Sequence, residues 1–210
     1  MKNSKLQVIL DRGLVGKSDI VEVASELIDA GADCIQLRDK LSSDSQILEE
    51  AKRIRRIAKN CVFLINDRVD IARLSDADGV HLGQADLPYE EARRFLGRER
   101  LIGISTHNID QAKEAQALGA DYIGVGPIFP TTTKPDLKAI GLDIVSAITQ
   151  ELTIPAFFIG GINLSNIGEI TRRGGRRVAV ASAILNSGDI LATTRTMMGR
   201  LHDPDRICKR

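Results

Sequence analysis

The sequence has few aromatic residues, no tryptophan and almost no net charge. Aromatic residues make up 3% of the 210 residues, and 28 aspartates and glutamates balance the 29 lysines and arginines. Domains that coat nucleic acids usually have a basic excess, and many stack bases on aromatic side chains. The composition therefore argues against a nucleic-acid partner and predicts an aliphatic core.

Long apolar runs and paired cysteines are absent as well. No stretch approaches the roughly 18 apolar residues of a membrane span, and the sequence starts without the apolar region of a signal peptide. The three cysteines, Cys34, Cys61 and Cys208, lie far apart and form no CxxC pair. We therefore expect a cytoplasmic protein with reduced thiols and no membrane partner.

The sequence does contain a regular alternation of short apolar runs and helix-like segments. Most runs are continuous, as in parallel strands that are buried on both faces. They cover Leu6–Leu10, Cys34–Leu37, Val62–Ile65, Gly79–Leu82, Leu101–Ile104, Tyr122–Val125, Ala156–Ile159 and Val178–Val180. We predict one α/β domain over residues 1–210, a closed (β/α)8 TIM barrel. A doubly wound open sheet is the alternative, because periodicity alone does not decide closure.

The segments between the runs have helical periodicity. Ile20, Val23 and Leu27 lie on one face of the first such segment. Ser18 or Asp19 is placed to cap its start. These segments supply the helices that a barrel needs between its strands.

Two acidic residues follow neighbouring runs. Asp67 and Asp86 come just after the third and fourth runs, and the carboxyl ends of barrel strands meet at the face where active sites lie. Two close carboxylates repel unless one is protonated or a cation binds between them. Oxygen ligands without a His/Cys set favour Mg²⁺. The alternative is that each acid caps the helix that follows it.

Cationic and amide side chains lie at other strand ends. Arg38, Lys40 and Lys134 could neutralise a diphosphate, although each alone is also typical of a solvated surface. Gln36 and Asn66 offer the donors and acceptors that bind the edge of a heterocycle.

The last three strand ends suggest a phosphate site. A hydroxyl-rich loop, Thr131–Thr133, follows the sixth run, Gly160-Gly161 follows the seventh, and Ala181-Ser182 follows the eighth. Glycines let backbone N–H groups approach an anion closely, and barrels often bind phosphate after strands seven and eight. His81, which lies inside an apolar run, is interpreted as a hydrogen-bonded barrel residue.

Six motifs follow one another along the chain. They are Gln36-Leu37-Arg38-Asp39-Lys40, Ile65-Asn66-Asp67-Arg68, Gly79-Val80-His81-Leu82-Gly83-Gln84-Ala85-Asp86, Gly103-Ile104-Ser105, Gly126-Pro127-Ile128-Phe129-Pro130-Thr131-Thr132-Thr133-Lys134 and Gly160-Gly161-Ile162. In order and spacing they resemble the motifs of the thiamine-phosphate synthases. The resemblance extends from about residue 6 to about residue 190. It implies a TIM barrel that joins 4-amino-2-methyl-5-hydroxymethylpyrimidine diphosphate to a thiazole ethyl phosphate or its carboxylate. The products would be thiamine phosphate and diphosphate.

The resemblance also implies roles for individual residues. The contacts to the pyrimidine diphosphate match Gln36, Leu37, Arg38, Asp39, Lys40, Asn66, Ser105 and Lys134, of which Arg38, Lys40, Ser105 and Lys134 would be catalytic. The Mg²⁺ ligands match Asp67 and Asp86. The contacts to the thiazole phosphate match Thr131, Thr132, Thr133, Gly161, Ala181 and Ser182.

The implied mechanism is dissociative, because diphosphate leaves before the thiazole nitrogen attacks. Such a reaction needs no strong general base, and the sequence has no evident acid–base dyad. Two alternatives stay open: a thiazole tautomerase with His107 as the base, and a non-catalytic barrel that binds thiamine intermediates. Whether the chain forms a homo-oligomer is also open.

Overall fold

Eight parallel strands alternate with helices along the chain. The structure is a computed structural model that describes residues 1, 3–131 and 138–202. The strands are β1 (Leu6–Asp11), β2 (Cys34–Arg38), β3 (Val62–Asn66), β4 (Gly79–Leu82), β5 (Leu101–Thr106), β6 (Tyr122–Val125), β7 (Ala156–Ile159) and β8 (Val178–Val180). The helices are α1 (Arg12–Val15), α2 (Ile20–Asp29), α3 (Asp44–Ile57), α4 (Val69–Leu74), α5 (Tyr89–Leu96), α6 (Ile109–Leu118), α7 (Asp143–Glu151), α8 (Ile167–Arg172), α9 (Ser182–Leu185) and α10 (Ile190–His202).

The sheet closes on itself. Each strand pairs in parallel with the next, and β8 returns to β1 with Leu6 opposite Val178. The predicted (β/α)8 barrel is confirmed, and the open sheet is excluded. No helix in the described ranges is long and apolar enough to cross a membrane.

Two apolar layers hold the barrel together. The outer layer packs the strands against the helices and includes Ile20, Leu27 and Ile54, which are all fully buried. The inner layer fills the barrel itself and consists of Ile9, Cys34, Leu64, Tyr122, Phe157 and Ala179. Burial of each large side chain contributes about 1.5–3 kcal/mol. The core is mainly aliphatic, as predicted, and aromatic rings occupy a few fully buried places.

Local hydrogen bonds explain where the helices begin. Asp19 caps α2 by accepting from the backbone N–H of Val21 at 2.8 Å, which decides between the two predicted caps. Ser43 and Gln46 form a reciprocal capping box at α3. The N-cap position of α4 is Arg68. Capping of α4 by the Asp67 side chain is therefore not the arrangement in this fold.

Acidic residues tie the opposite ends of the strands together. Asp33, just before β2, accepts from the N–H groups of Lys5 and Leu6 at the start of β1. Asp78 accepts from Phe63 at 2.7 Å, and Asp121 accepts from Ile102 at 2.8 Å. Each such carboxylate satisfies a buried N–H group that the parallel ladder leaves unpaired.

Two of the cysteines are buried as free thiols. Cys34 faces the barrel interior, and Cys61 precedes β3. Burial raises the pKa of Cys61 to about 12, so this thiol is protonated at neutral pH. Both agree with the expected spare thiols, whereas Cys208 lies outside the described residues.

Candidate active site

A cavity of about 510 Å³ opens among the residues that follow the strands. Several of the predicted site residues line it: Gln36, Arg38, Asn66, Ser105, Thr131, Gly161, Ala181 and Ser182. They come from β2, β3, β5 and the loops after β6, β7 and β8. Closure of the barrel therefore brings together residues that are as far as 146 positions apart, from Gln36 to Ser182.

A charged cluster lies after β2, β3 and β4, and we call Lys40, Asp67 and Asp86 the rim cluster. The Lys40 ammonium forms an ion pair with the Asp67 carboxylate. Burial raises the pKa of Asp86, and the adjacent Asp67 carboxylate raises it further. The predicted approach of the two acids is thus present in the structure.

The backbone contributes to this arrangement. Asp67 has a left-handed conformation with φ of 61°, which is rare for residues other than glycine but is tolerated by aspartate. Its N–H donates to the carbonyl of His81 at 2.9 Å. Asp86 accepts from the N–H of Gly83 at 2.7 Å. Backbone hydrogen bonds therefore hold the main chain of Asp67 and the carboxylate of Asp86 near neighbouring strand ends.

The rim cluster has the donor chemistry of a partly hydrated magnesium site. Two close carboxylates, one of which has a raised pKa, gain from a divalent cation between them. Within the described ranges, no group of three or more His, Cys, Asp or Glu side chains could hold a metal. Two carboxylates fit Mg²⁺ all the same, because this ion keeps waters and takes further oxygens from substrate phosphates.

Arg38 has a partner that the sequence analysis missed. Its guanidinium donates to Asp11, which ends β1, and both residues line the cavity. Asp11 also accepts from the N–H of Gly13 at 2.9 Å. Because Asp11 is a polar residue directly after the first apolar run, the rule that selected the other site residues could have identified it.

Two predicted residues of the first motif, Leu37 and Asp39, do not line the cavity. Leu37 is 1% exposed and packs in the outer layer. The Asp39 carboxylate is buried and accepts from the N–H groups of Leu41 and Ser42 at 2.8 and 3.0 Å. Successive strand residues point to opposite faces, so Gln36 and Arg38 reach the cavity and Leu37 does not. Any ligand contact of Leu37 or Asp39 would involve the backbone and stays a prediction.

The loop after β7 approaches the loop after β6 closely. Gly161 has φ of 63°, and a Cβ atom there would lie 2.4 Å from the carbonyl oxygen of Pro130. Only glycine allows this approach. The Gly161 carbonyl accepts from Asn163 and Asn166 at 3.3 and 2.9 Å. These contacts hold Gly161 beside Thr131 on the cavity wall.

Three predicted site residues belong to the part of the chain that the structure does not describe. Thr132, Thr133 and Lys134 lie outside the described residues. Their proposed contacts with phosphate and diphosphate stay predictions.

Two histidines lie on the cavity wall. His81 bonds to the Tyr122 hydroxyl at 2.8 Å and to the Ser105 hydroxyl at 2.9 Å, which confirms its interpretation as a hydrogen-bonded barrel residue. Nδ1 of His107 lies 2.5 Å from the carbonyl oxygen of Gly126. Since a carbonyl accepts only, this nitrogen must carry a proton.

Comparisons with known proteins assign the family. The model of the thiamine monophosphate synthase family matches residues 6–184. A thiamine-phosphate synthase of Shouchella clausii is 39% identical over 206 residues, which cover 97% of this chain and 99% of that protein. A thiamine-phosphate synthase of Thermosynechococcus vestitus is 46% identical over 184 residues, 87% of this chain, but the chain spans only 52% of that protein.

A solved structure agrees with these relatives. Thiamine phosphate pyrophosphorylase from Pyrococcus furiosus superposes with a TM-score of 0.88 at 36% identity, over 95% of this chain and 96% of that one. The barrel, the ordered strand-end residues and these similarities lead to one assignment. The chain belongs to the thiamine monophosphate synthase family, whose members are transferases.

Proposed function

We propose that the chain forms thiamine phosphate from 4-amino-2-methyl-5-hydroxymethylpyrimidine diphosphate and thiazole ethyl phosphate or its carboxylate. The C–O bond between the pyrimidine methylene and the diphosphate breaks, and its electron pair leaves with the diphosphate. The thiazole nitrogen then donates its lone pair to the methylene carbon. The products are thiamine phosphate and diphosphate. When the carboxylate is used, the bond between the ring carbon and the carboxylate also breaks, CO₂ leaves, and the electron pair that stays on the ring carbon takes up a proton from water.

The observation that carries this proposal is the rim cluster, in which Asp67 directly follows the cavity-lining residue Asn66. Lys40 and Arg38 provide positive charge, and Asp67 and Asp86 provide ligands for a cation. This is the charge pattern that a leaving diphosphate requires. The cavity of about 510 Å³ next to it falls in the usual size range of small-molecule sites.

The side chains divide the work between binding and charge stabilisation. Gln36, which is 3% exposed, and Asn66 face the cavity and can bind polar atoms of the pyrimidine. Arg38 and Ser105 donate toward the diphosphate from the same wall. Thr131 and the backbone at Gly161 are placed to bind the thiazole phosphate. Holding both rings in contact removes much of the entropic barrier.

Asp67 and Asp86 would hold a magnesium ion at the rim cluster. When it is bound, the ion supplies positive charge that neutralises the diphosphate as it leaves. Lys40 already pairs with Asp67, so it can shift toward the anion once a cation takes its place. No general base is needed, because the reaction as a whole requires no proton abstraction.

Incubation of the full chain with both substrates and MgCl₂ tests the proposal. We expect equal amounts of thiamine phosphate, read by thiochrome fluorescence, and of diphosphate, and we expect chelation with EDTA to abolish both. The absence of both products at saturating substrate and magnesium would overturn it. A proton exchange on the thiazole without product would instead favour a tautomerase.

A further inference from the structure

Three side chains form a hydrogen-bonded row inside the barrel. His81 of β4, Ser105 of β5 and Tyr122 of β6 all face the interior from neighbouring strands, with His81 opposite Gly103 and Ser105 opposite Gly124. Nδ1 of His81 lies 2.8 Å from the Tyr122 hydroxyl, and Nε2 lies 2.9 Å from the Ser105 hydroxyl. The row thus leads from the fully buried phenol to a hydroxyl on the cavity wall.

Two glycines on the same strands make room for the row. A Cβ atom on Gly103 would lie 2.0 Å from Cζ of Tyr122, and one on Gly124 would lie 3.1 Å from Cε1 of His81. The first contact is impossible without displacement of the ring. The second contact is tight, so a side chain at position 124 would crowd the imidazole. The two glycines therefore leave the space that both rings occupy.

The direction of the hydrogen bonds follows from the protons available. A neutral imidazole has one donor and one acceptor nitrogen. Burial raises the pKa of Tyr122 well above its usual value, so the phenol keeps its proton. The imidazole of His81 therefore donates to one of its two hydroxyl neighbours and accepts from the other.

One of the two possible orders makes Ser105 a donor at the cavity wall. In that order, the Tyr122 O–H donates to Nδ1 of His81. The proton of His81 is then on Nε2 and donates to Ser105. The Ser105 oxygen is occupied as an acceptor, and its own proton is directed into the cavity.

We propose that Tyr122 and His81 are positioning residues that fix Ser105 as a hydrogen-bond donor toward the leaving diphosphate. The opposite order would direct the lone pairs of Ser105 toward an anion, which repels it. The inference rests on the proposed function for the identity of the anion. The tautomer of His81 is measured without substrate, so it is tested separately from that function.

The backbone of Ser105 is held as well. The Gln84 amide donates to the Ser105 carbonyl at 2.6 Å. Rotation of the hydroxyl is therefore the remaining freedom of this side chain. A donor that is already oriented stabilises the transition state more than one that must reorient during the reaction.

The first test reads the tautomer in the full chain by ¹⁵N NMR of its histidines. We expect a protonated Nε2 and a bare Nδ1 on His81, and we expect Tyr122→Phe to shift the proton population toward Nδ1. A wild-type His81 with its proton on Nδ1 would overturn the proposal. This measurement does not depend on turnover. It therefore tests the order of donors in the row even if the wild type forms no product and the proposed function fails.

The second test is a double-mutant cycle on turnover. We expect Ser105→Ala to lower kcat by about 100-fold and Tyr122→Phe by roughly tenfold. In the Ser105→Ala background, Tyr122→Phe should change kcat no further, because the phenol acts only through the serine. Independent, multiplying losses would overturn the proposal.

The chain offers a matched control. Tyr89 is the other tyrosine of the sequence, and its hydroxyl donates to the Gly119 carbonyl at 2.7 Å outside the barrel. Tyr89→Phe should leave both kcat and the His81 tautomer unchanged. His81→Gln, whose amide can replace the Nε2 donor, should retain more activity than His81→Leu.

Discussion

We expect the charges of single residues in the rim cluster to determine its affinity for magnesium. Asp86→Asn removes one of two close negative charges and keeps an oxygen that can accept from Gly83. We expect the magnesium concentration for half-maximal turnover to rise by at least roughly tenfold. Asp67→Asn should act similarly. Asparagine is the better replacement there, because alanine would add strain at φ of 61°.

A magnesium titration of thiamine phosphate formation measures this effect. Glu151→Gln is the matched control, because it breaks an exposed pair with Lys113 between α6 and α7. This control should titrate like the wild type. If Asp86→Asn also did so, its role as a ligand would be wrong.

Thr131 tests the division of the cavity between the two substrates. Its hydroxyl is on the wall shared with Gly161. We expect Thr131→Ala to raise KM for the thiazole phosphate roughly tenfold, since a hydrogen bond to a charged group is worth about 1.5–3 kcal/mol. KM for the pyrimidine diphosphate should hardly change. Steady-state kinetics measure both KM values, with Thr196→Ala on α10 as the control. An equal rise of the two KM values in Thr131→Ala would contradict this division.

At the scale of elements, the apolar pattern predicted the strands well because burial on both faces leaves a continuous signal. Four of them, including Gly79–Leu82 and Tyr122–Val125, have the predicted bounds. Others extend into polar residues, as β5 does to Thr106. Thr106 is fully buried and its hydroxyl donates to the Gly124 carbonyl, and the rule of apolar runs cannot detect such a polar strand residue.

The site was less predictable than the strands. Strand ends identified residues that share a rim, such as Asp67 and Asp86, because closure forces them together. Which face a side chain takes depends on register, so Leu37 and Asp39 could not be separated from Gln36 by motif alone. The sequence analysis did not identify Tyr122 as a site residue, because His81, the partner of its hydroxyl, lies 41 residues away in β4.

At the N-terminus of α2, we can predict how much the cap of one helix contributes to stability. Arg53 of α3 donates to Asp19 at 2.9 Å, and this bond, with the Val21 N–H, lowers the pKa of the carboxyl. Asp19→Ala should reduce the free energy of unfolding by about 1 kcal/mol at pH 7. Asp19→Asn keeps the cap and should lose only a few tenths of a kcal/mol, the worth of an exposed ion pair.

The pH dependence separates these two contributions. A pKa lowered in the folded state adds stability above the unfolded value of about 3.8, and this part is lost as the pH falls through the folded pKa. In urea titrations at strongly acidic pH, the free energy of unfolding of the wild type should therefore converge on that of Asp19→Asn. The value for Arg53→Met should converge on it as well. Equal losses for Asp19→Ala and Asp19→Asn at pH 7 would show that the side-chain cap contributes nothing.

At the scale of the whole molecule, closure couples the strands. Every strand is paired on both sides, and the residues around the proposed diphosphate position come from β1, β2 and β3 and from the loops after β2, β3 and β4. We propose that the chain is a single domain, and we expect its thermal unfolding to be one cooperative transition. The calorimetric and van't Hoff enthalpies should then agree.

Binding at one side of the barrel should stabilise all of it. Magnesium and inorganic diphosphate at about 100 times their dissociation constant should add about 2.7 kcal/mol, which raises Tm by roughly 2–4 °C for each kcal/mol in a chain of this size. The whole transition should shift in calorimetry, because β8 cannot open without exposing β1. Asp86→Asn should reduce the shift, whereas Glu151→Gln should preserve it. Two transitions, of which only one responds to diphosphate, would show that the barrel unfolds in parts and would contradict a single domain.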